Sequence, residues 1–394
     1  MKRPGVILKK GKEASLMRRH PWVFSGAIQT IEGDVAEGDV VEVIDHKNRF
    51  LATGHYQPGS IAVRVLSFGR EPIGGNFWRK KLENALALRR ELGLAGSNHT
   101  SMYRLVHGEG DGLPGLIVDI YGRTAVMQAH TAGMMRSAGE IVRALREIMG
   151  ENLKAVYNKS RQTLPGRMRE DHRDGYLYGE KEEGPFLESG LSFFADWEQG
   201  QKTGFYIDQR ENRKLLGKFV AGKKVLNMFG HSGGFSVYAL QGGARVVHTV
   251  DSSRTAIDQA EENLRVNSGF PGRHTAFVAD AMEYLKNIWD RYDVIVLDPP
   301  AYAKHGEARQ NALQGYRRLN QAALEKMESG GMLFTFSCSQ VVSREQFRRS
   351  VFVAAATAGR HVRILYQTAQ PPDHPVSLYH PEGEYLKGLI LRVE

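Results

Sequence analysis

The one cysteine of this 394-residue chain, Cys338, stands between Ser337 and Ser339 at the end of an apolar run, Phe334-Thr335-Phe336. A lone cysteine is by default a small buried hydrophobe, yet the polar exit of a strand needs no apolar filler. Earlier, the run Val294-Ile295-Val296-Leu297 ends in Asp298, followed by Pro299 and Pro300. The two prolines freeze the backbone there. A charged group at the end of a buried run is costly unless it has a use. The plain reading of Asp298 is a cap before a rigid loop. The chemical reading is a thiol nucleophile with a carboxyl group as its acid–base partner.

Three further strand ends carry polar residues. The first is Asn227-Met228-Phe229-Gly230-His231-Ser232-Gly233-Gly234, where glycines let a backbone pass close to a ligand and a helix N-terminus follows. It is not a GxGxxG fingerprint, and taken singly it is weak evidence, with a plain tight turn as the lesser alternative. It nominates Asn227, Phe229, Gly230, Ser232 and Gly233 as ligand contacts. The next strand ends in Asp251, placed to accept from ribose hydroxyls. A third ends near Asp280, placed to accept from an adenine amino group. Each acid by itself is more simply a helix cap; in series with the glycine turn they point to an adenosine ligand, with Asp298 and Pro299 bordering it. An adenosine pocket, a thiol and a carboxyl group suit one reaction. C5 of cytosine is too weak a nucleophile to take a methyl group directly, but a thiolate adding to C6 while a carboxyl group engages N3 turns C5 into an enamine carbon.

The elements that must position these residues follow from periodicity. After about residue 190, apolar strand candidates alternate with helices: 225–229, 246–250, 276–278, 294–297 and 332–336 against 236–241, 255–266, 282–288, 311–327 and 345–357. This alternation predicts a parallel doubly wound sheet, to which 362–366 and 388–393 could add an antiparallel edge. Short alternating strands separated by turns between residues 21 and 65 read instead as a small β-barrel. From about residue 70 come a helix over 77–92, a hairpin around Tyr121-Gly122-Arg123, a helix over 137–149 and a strand near 155–157. Residues 161–185, charged and broken by Gly and Pro, read as an exposed hairpin or linker. The first twenty residues carry seven basic side chains, among them Lys2, Lys9, Lys10, Arg18 and Arg19, against one acid. That cluster is either a solvated arm or, with Trp22 close behind, a nucleic-acid contact in which a ring stacks beside phosphate-binding charge.

Composition narrows the class. Net charge is +9, with 41% hydrophobic and 25% charged residues, values of a globular protein with some bias toward a polyanionic partner. No run approaches the length of a membrane span. The first ten residues do not form a secretory signal, so the expected location is the cytoplasm. One cysteine excludes an internal disulfide framework and any CxxC zinc site, and no metal is expected.

At these residues the chain resembles the bacterial ribosomal RNA large-subunit methyltransferase I type, cytosine-5 enzymes of the class I S-adenosylmethionine fold. The likeness runs nearly end to end, through Arg19-His20-Pro21-Trp22-Val23-Phe24-Ser25-Gly26, Glu109-Gly110-Asp111-Gly112-Leu113-Pro114-Gly115, residues 202–210 (KTGFYIDQR), Asp298-Pro299-Pro300, Phe336-Ser337-Cys338-Ser339 and Asp373-His374-Pro375. It implies an α/β protein of three domains: a PUA-like RNA-binding domain over 1–70, a small central α/β domain of EEHEE type over 71–188, and a Rossmann-like methyltransferase domain over 189–394. It implies S-adenosylmethionine as cofactor, large-subunit ribosomal RNA as partner and Cys338 as nucleophile. It also places Phe205, Tyr206 and Asp208 on a segment crossing the cofactor; from the residues themselves Asp208 reads only as a helix cap. A homodimer is left open. Two departures stand out. Relatives commonly have Cys-Phe-Ser-Tyr-Thr-Gly-Gly where this chain has residues 228–234. Other cytosine-5 RNA methyltransferases keep a second cysteine beside the strand-four proline, absent here. Rival readings are an amino-group methyltransferase, a non-enzymatic RNA-binding assembly factor and a nucleotide-dependent oxidoreductase.

Overall fold

The computed structural model describes residues 3–303 and 306–394, so Lys2 of the basic cluster lies outside the described residues. The chain divides into two compact units. One comprises Met1–Gly190, Ala195–Ile207 and Pro372–Gly383; the other comprises Leu191–Phe194, Asp208–Pro371 and Glu384–Glu394.

The first unit begins with β1 (Gly5–Leu8), β2 (Trp22–Phe24), β3 (Ile28–Glu32), β4 (Val40–Ile44), β5 (Phe50–Tyr56) and β6 (Ile61–Ser67), joined in the order β2-β6-β5-β4-β1-β3. Alternation along these strands turns Val6, Leu8, Val41, Val43, Val63 and Val65 inward, all buried, as a half-buried sheet requires. The N-terminal residues are therefore more than a solvated arm: β1 lies inside the sheet, parallel to β4 and antiparallel to β3.

A second sheet of the same unit contains β7 (Met102–His107), β8 (Leu116–Tyr121), β9 (Thr124–Ala129), β10 (Ala155–Asn158) and β11 (Gly175–Tyr178), in the order β11-β10-β9-β8-β7. Helices Gly75–Glu91 and Ala138–Met149 bury Trp78, Leu82, Leu86, Ile141 and Leu145 against it, in one core with Val118, Ile120, Met127 and Val156. Gly122, at φ +58°, closes the β8–β9 hairpin as expected. The stretch read as an exposed hairpin or linker, 161–185, instead supplies a short helix, Gly166–Asp171, and the edge strand β11. Its polar composition hid a strand because β11 has only one sheet neighbour and rests on the core through Tyr178.

Two motifs distant in sequence meet in this unit. Arg89, fully buried, pairs with Asp111 at 2.5 Å and donates to the Asp373 carbonyl at 2.8 Å, while Asp373 Oδ2 accepts the Arg104 amide. A Cβ on Gly110 would fall inside the Pro375 carbonyl. Only glycine fits at that position.

After the short strands β12 (Phe186–Glu188) and β13 (Leu191–Phe193), the second unit is built on β14 (Lys224–Met228), β15 (Val246–Asp251), β16 (Arg273–Val278), β17 (Tyr292–Leu297), β18 (Met327–Ser337), β19 (Val362–Thr368) and β20 (Lys387–Val393). Their order is β16-β15-β14-β17-β18-β20-β19. The five strands from β14 to β18 are parallel, and near-continuous apolar runs such as Val294–Leu297 suit strands covered on both faces. The antiparallel addition is β20, which slots between β18 and the edge strand β19. Strand order reverses between β14 and β17, and ligands of open α/β sheets bind at the carboxyl ends beside such a switch point.

Candidate active site

The turn after β14 is shaped by its backbone. Phe229 and His231 take positive φ (+58° and +43°), as does Gly233 at +73°, a conformation uncommon without glycine and concentrated at functional sites. A Cβ on Gly230 would clash with the Thr249 methyl group of β15, and one on Gly233 would lie 2.9 Å from Ala260. The turn thus lies flat on its neighbours. Asn227 is buried and donates to Ser236 Oγ at 2.8 Å, while its Oδ1 has no hydrogen-bond partner among the described residues. Ser232 is also buried, its carbonyl accepting from Asn263 Nδ2.

Asp251 ends β15, half-buried, and ties down the turn: Oδ2 accepts the His231 amide at 3.0 Å and Oδ1 the Ser253 amide at 2.9 Å. Asp280 caps helix Ala281–Asn287 through Oδ1, which accepts from the amides of Met282 and Glu283. The cap reading of Asp280 is therefore real; the residue is exposed, and both cap bonds run to Oδ1. Both acids nonetheless sit at the ends of neighbouring strands on the edge that carries the glycine turn. An orphaned amide oxygen, a close-lying glycine turn and two carboxylates form a donor and acceptor set that fits an amino acid joined to adenosine.

Cys338 directly follows β18, partly buried against the core that includes Phe336 and Ile390. Its Sγ lies 3.9 Å from the carbonyl oxygen of Pro299, because β17 and β18 are parallel neighbours with Leu297 opposite Thr335. The thiol and the Asp298-Pro299 turn thus share one corner of the sheet. Ser337 donates to Tyr316 Oη at 2.9 Å and Ser339 to the Ala303 carbonyl at 2.7 Å, anchoring the cysteine on both sides. Burial pushes the Tyr316 phenol far up, and a charge on Cys338 pushes the same way.

Asp298 is not left to the prolines. Gln209 Nε2 donates to its Oδ1 at 2.8 Å, and Gln209 Oε1 accepts from Asn212 Nδ2 at 2.6 Å. Asp208, expected to cap a helix, is buried and accepts the Tyr385 hydroxyl at 2.9 Å. Gln209 and Tyr385 were not singled out from the residues. The only signal was that Gln209 belongs to the stretch 202–210; nothing local marks Tyr385, brought in by β20.

Phe205 and Tyr206 belong to the first unit. There the Phe205 amide donates to Tyr121 Oη at 3.2 Å, and Thr203 Oγ1 donates to Asp119 at 2.5 Å. The Tyr206 hydroxyl donates to Gln201 Oε1. The basic residues are exposed as expected: Lys9, Lys10 and Arg18 face solvent, and Arg19 lies 5.0 Å over the Phe68 ring. Trp22 differs from a bare stacking platform. It is half-buried, its indole N–H donates to Glu109 at 2.8 Å, and its ring meets His380 edge-on at 4.3 Å. Among the described residues no group of three or more His, Cys, Asp or Glu is arranged to hold a metal, and no helix is long and apolar enough to cross a membrane.

Comparison with known proteins bears on the family and the fold. A PUA-like domain model matches residues 6–68, and an S-adenosylmethionine-dependent methyltransferase model matches residues 104–376. A ribosomal RNA large subunit methyltransferase I from Klebsiella pneumoniae (strain ATCC 700721 / MGH 78578) is 37% identical, covering 99% of this chain and 98% of the relative. One from Escherichia coli O157:H7 is 37% identical, covering 98% and 99%. Among solved structures, a protein of Streptococcus mutans described as a SAM-dependent methyltransferase superposes with TM-score 0.84 at 22% identity, and a methyltransferase complexed with SAH with TM-score 0.85 at 22%; both cover 100% of each chain. A PUA-like domain, a Rossmann-like sheet and this end-to-end likeness lead to one assignment: the chain belongs to the ribosomal RNA large subunit methyltransferase I family and is an S-adenosylmethionine-dependent methyltransferase.

Proposed function

We propose that this protein methylates C5 of a cytidine in large-subunit ribosomal RNA through a covalent adduct of Cys338. The observation that carries the reading is the corner shared by the thiol and the Asp298-Pro299 turn, with Sγ 3.9 Å from the Pro299 carbonyl. The names of the curated relatives support the RNA class.

S-adenosylmethionine would be held at the glycine turn by Asn227, Phe229, Gly230, Ser232, Gly233, Asp251 and Asp280, with Asp208 on the segment before β14, and would supply an electrophilic methyl group. Cys338 adds as thiolate to C6 of the cytosine, and Asp298 hands a proton to N3 as the ring loses aromaticity. C5 is then nucleophilic enough to be methylated. The C5 proton leaves to Asp298 or to water, sulfur is expelled from C6, and the N3 proton goes to the other of the two. Splitting the reaction in this way replaces one hard step by easier ones. Gln209 keeps the Asp298 carboxyl group aimed while this happens. Lys9, Lys10, Arg18, Arg19 and the remaining face of Trp22 give salt-sensitive affinity for RNA; base choice falls to the pocket, which a cytosine enters only once unstacked. We assign these tasks to three domains, 1–70, 71–188 and 189–394.

The test is RNA carrying 5-fluorocytidine, whose C5 substituent cannot leave as a proton does. Wild-type protein with S-adenosylmethionine should form a complex stable to denaturing electrophoresis, and Cys338→Ala should form none and yield no 5-methylcytidine by nucleoside mass spectrometry. Methylation retained in Cys338→Ala overturns the nucleophile and favours an amino-group or other acceptor.

A further inference from the structure

Lys387 is a buried ammonium that the scheme above does not use. It opens β20, opposite Ser337 in the β18–β20 register, and only 6% of its surface is exposed. Its Nζ donates to the carbonyls of Ser339 at 2.5 Å and Val342 at 2.8 Å. These two oxygens bracket the turn that leaves Cys338 and leads into helix Arg344–Thr357. Two carbonyls need only a neutral donor. A buried charge without an anion is costly, and no carboxylate lies within ion-pair distance of Lys387 among the described residues. The charged and titratable groups that face it are Cys338, Arg344 of the following helix and the exposed Glu384; Tyr316, from helix Arg309–Glu325, is also near the cysteine. Arg344 repels the ammonium and Glu384 stands in water. The thiol is the group whose ionisation this charge favours most.

We infer that Lys387 is a positioning residue that shapes the Cys338 turn and holds the thiol as thiolate, ready to add to the pyrimidine. The inference rests on Cys338 as nucleophile. Burial, working against the favourable charge of Cys338, brings the Lys387 amine down to about 8, so it remains mostly an ammonium at pH 7. An opposite charge next to a thiol lowers its titration by about one unit or more.

Since Cys338 is the chain's one cysteine, iodoacetamide alkylation of the full-length protein, without RNA or cofactor, titrates it alone. Wild type should react with a midpoint below the roughly 8.5 of a free thiol. Lys387→Gln, which keeps a donor for the carbonyls but drops the charge, and Lys387→Met should both raise that midpoint, with alkylation at pH 7 falling about tenfold for each unit. Methylation by Lys387→Gln should fall at pH 7 and recover toward wild type at pH 9, a profile that a purely structural loss would not give. A midpoint unmoved in Lys387→Gln, with its melting transition intact, overturns the inference. This failure is distinct from that of the nucleophile reading, which Cys338→Ala decides by methylation.

Discussion

Removing the hydrogen bond between Gln209 and Asp298 perturbs the carboxyl group without touching it. Gln209→Leu keeps the volume of a side chain only 3% exposed and deletes the 2.8 Å bond to Asp298 Oδ1. As Asp298 hands over its proton it becomes a carboxylate, and a hydrogen bond to a charged group contributes about 1.5–3 kcal/mol. If Asp298 must be aimed at the base in the transition state, kcat/KM should fall roughly 10- to 150-fold. The same change strands Asn212 Nδ2, which is buried and bonded to Gln209 Oε1, so stability should drop by about 1–3 kcal/mol as well. Methylation of RNA with labelled S-adenosylmethionine gives the kinetics, calorimetry gives cofactor affinity separately, and urea denaturation gives stability. Gln209→Glu sharpens the test. It places two carboxyl groups at hydrogen-bond distance, so the pair titrates as a unit and holds one proton to higher pH than a lone carboxyl group. Geometry survives while that proton is shared, and activity should decline as pH rises and the second carboxylate ionises. A folded Gln209→Leu variant with kcat/KM within about twofold of wild type refutes the claim that this bond positions the carboxyl group.

Gly230→Ala should weaken S-adenosylmethionine binding at least tenfold by calorimetry, because the new methyl clashes with Thr249 and lifts the turn; an unchanged Kd would remove the turn from the cofactor site. Arg89→Met leaves the Asp111 carboxylate buried without its cation, at a cost of about 3–5 kcal/mol visible in urea denaturation, and a loss below about 1 kcal/mol would mean the pair is relaxed in solution. His55, nearly fully buried, is held down to about 4 by burial and by the nearby Arg136 charge, and His107 is pushed well below its ordinary value by burial and Arg104. The unfolded chain therefore binds more protons than the folded one below the ordinary histidine value near 6.5. Stability is full above pH 6.5 and falls as pH drops toward 4, with His55 alone contributing a loss on the order of 3 kcal/mol. Denaturation at pH 7 and pH 4.5 should show the drop, and His55→Gln should shrink it; equal stability at both values would contradict the burial argument.

Much of this protein is local. The alternation of apolar runs and amphipathic stretches marked β14 to β18 and their helices to within a few residues, since strand and helix periods depend only on neighbouring side chains. The polar residues at the strand ends, Asp251, Asp298 and Cys338 among them, were legible for the same reason: a parallel strand delivers whatever follows it to one edge of the sheet. The sequence also held the Gly110 and Asp373-His374-Pro375 motifs, but without saying that they meet.

What the residues could not reveal is partnership across long separations. Gln209 looks like one amide among many until helix Arg210–Gly217 sets it against the carboxyl group that follows β17. Tyr385 and Lys387 acquire roles only because β20 inserts between β18 and β19 rather than adding at the edge, which places a lysine from the end of the chain opposite Ser337. Trp22, read as an open stacking ring, gives its indole N–H to Glu109. Periodicity tells which way a side chain faces. Which group it meets there is settled when distant segments pack, as buried donors, acceptors and charges find the partners that burial demands.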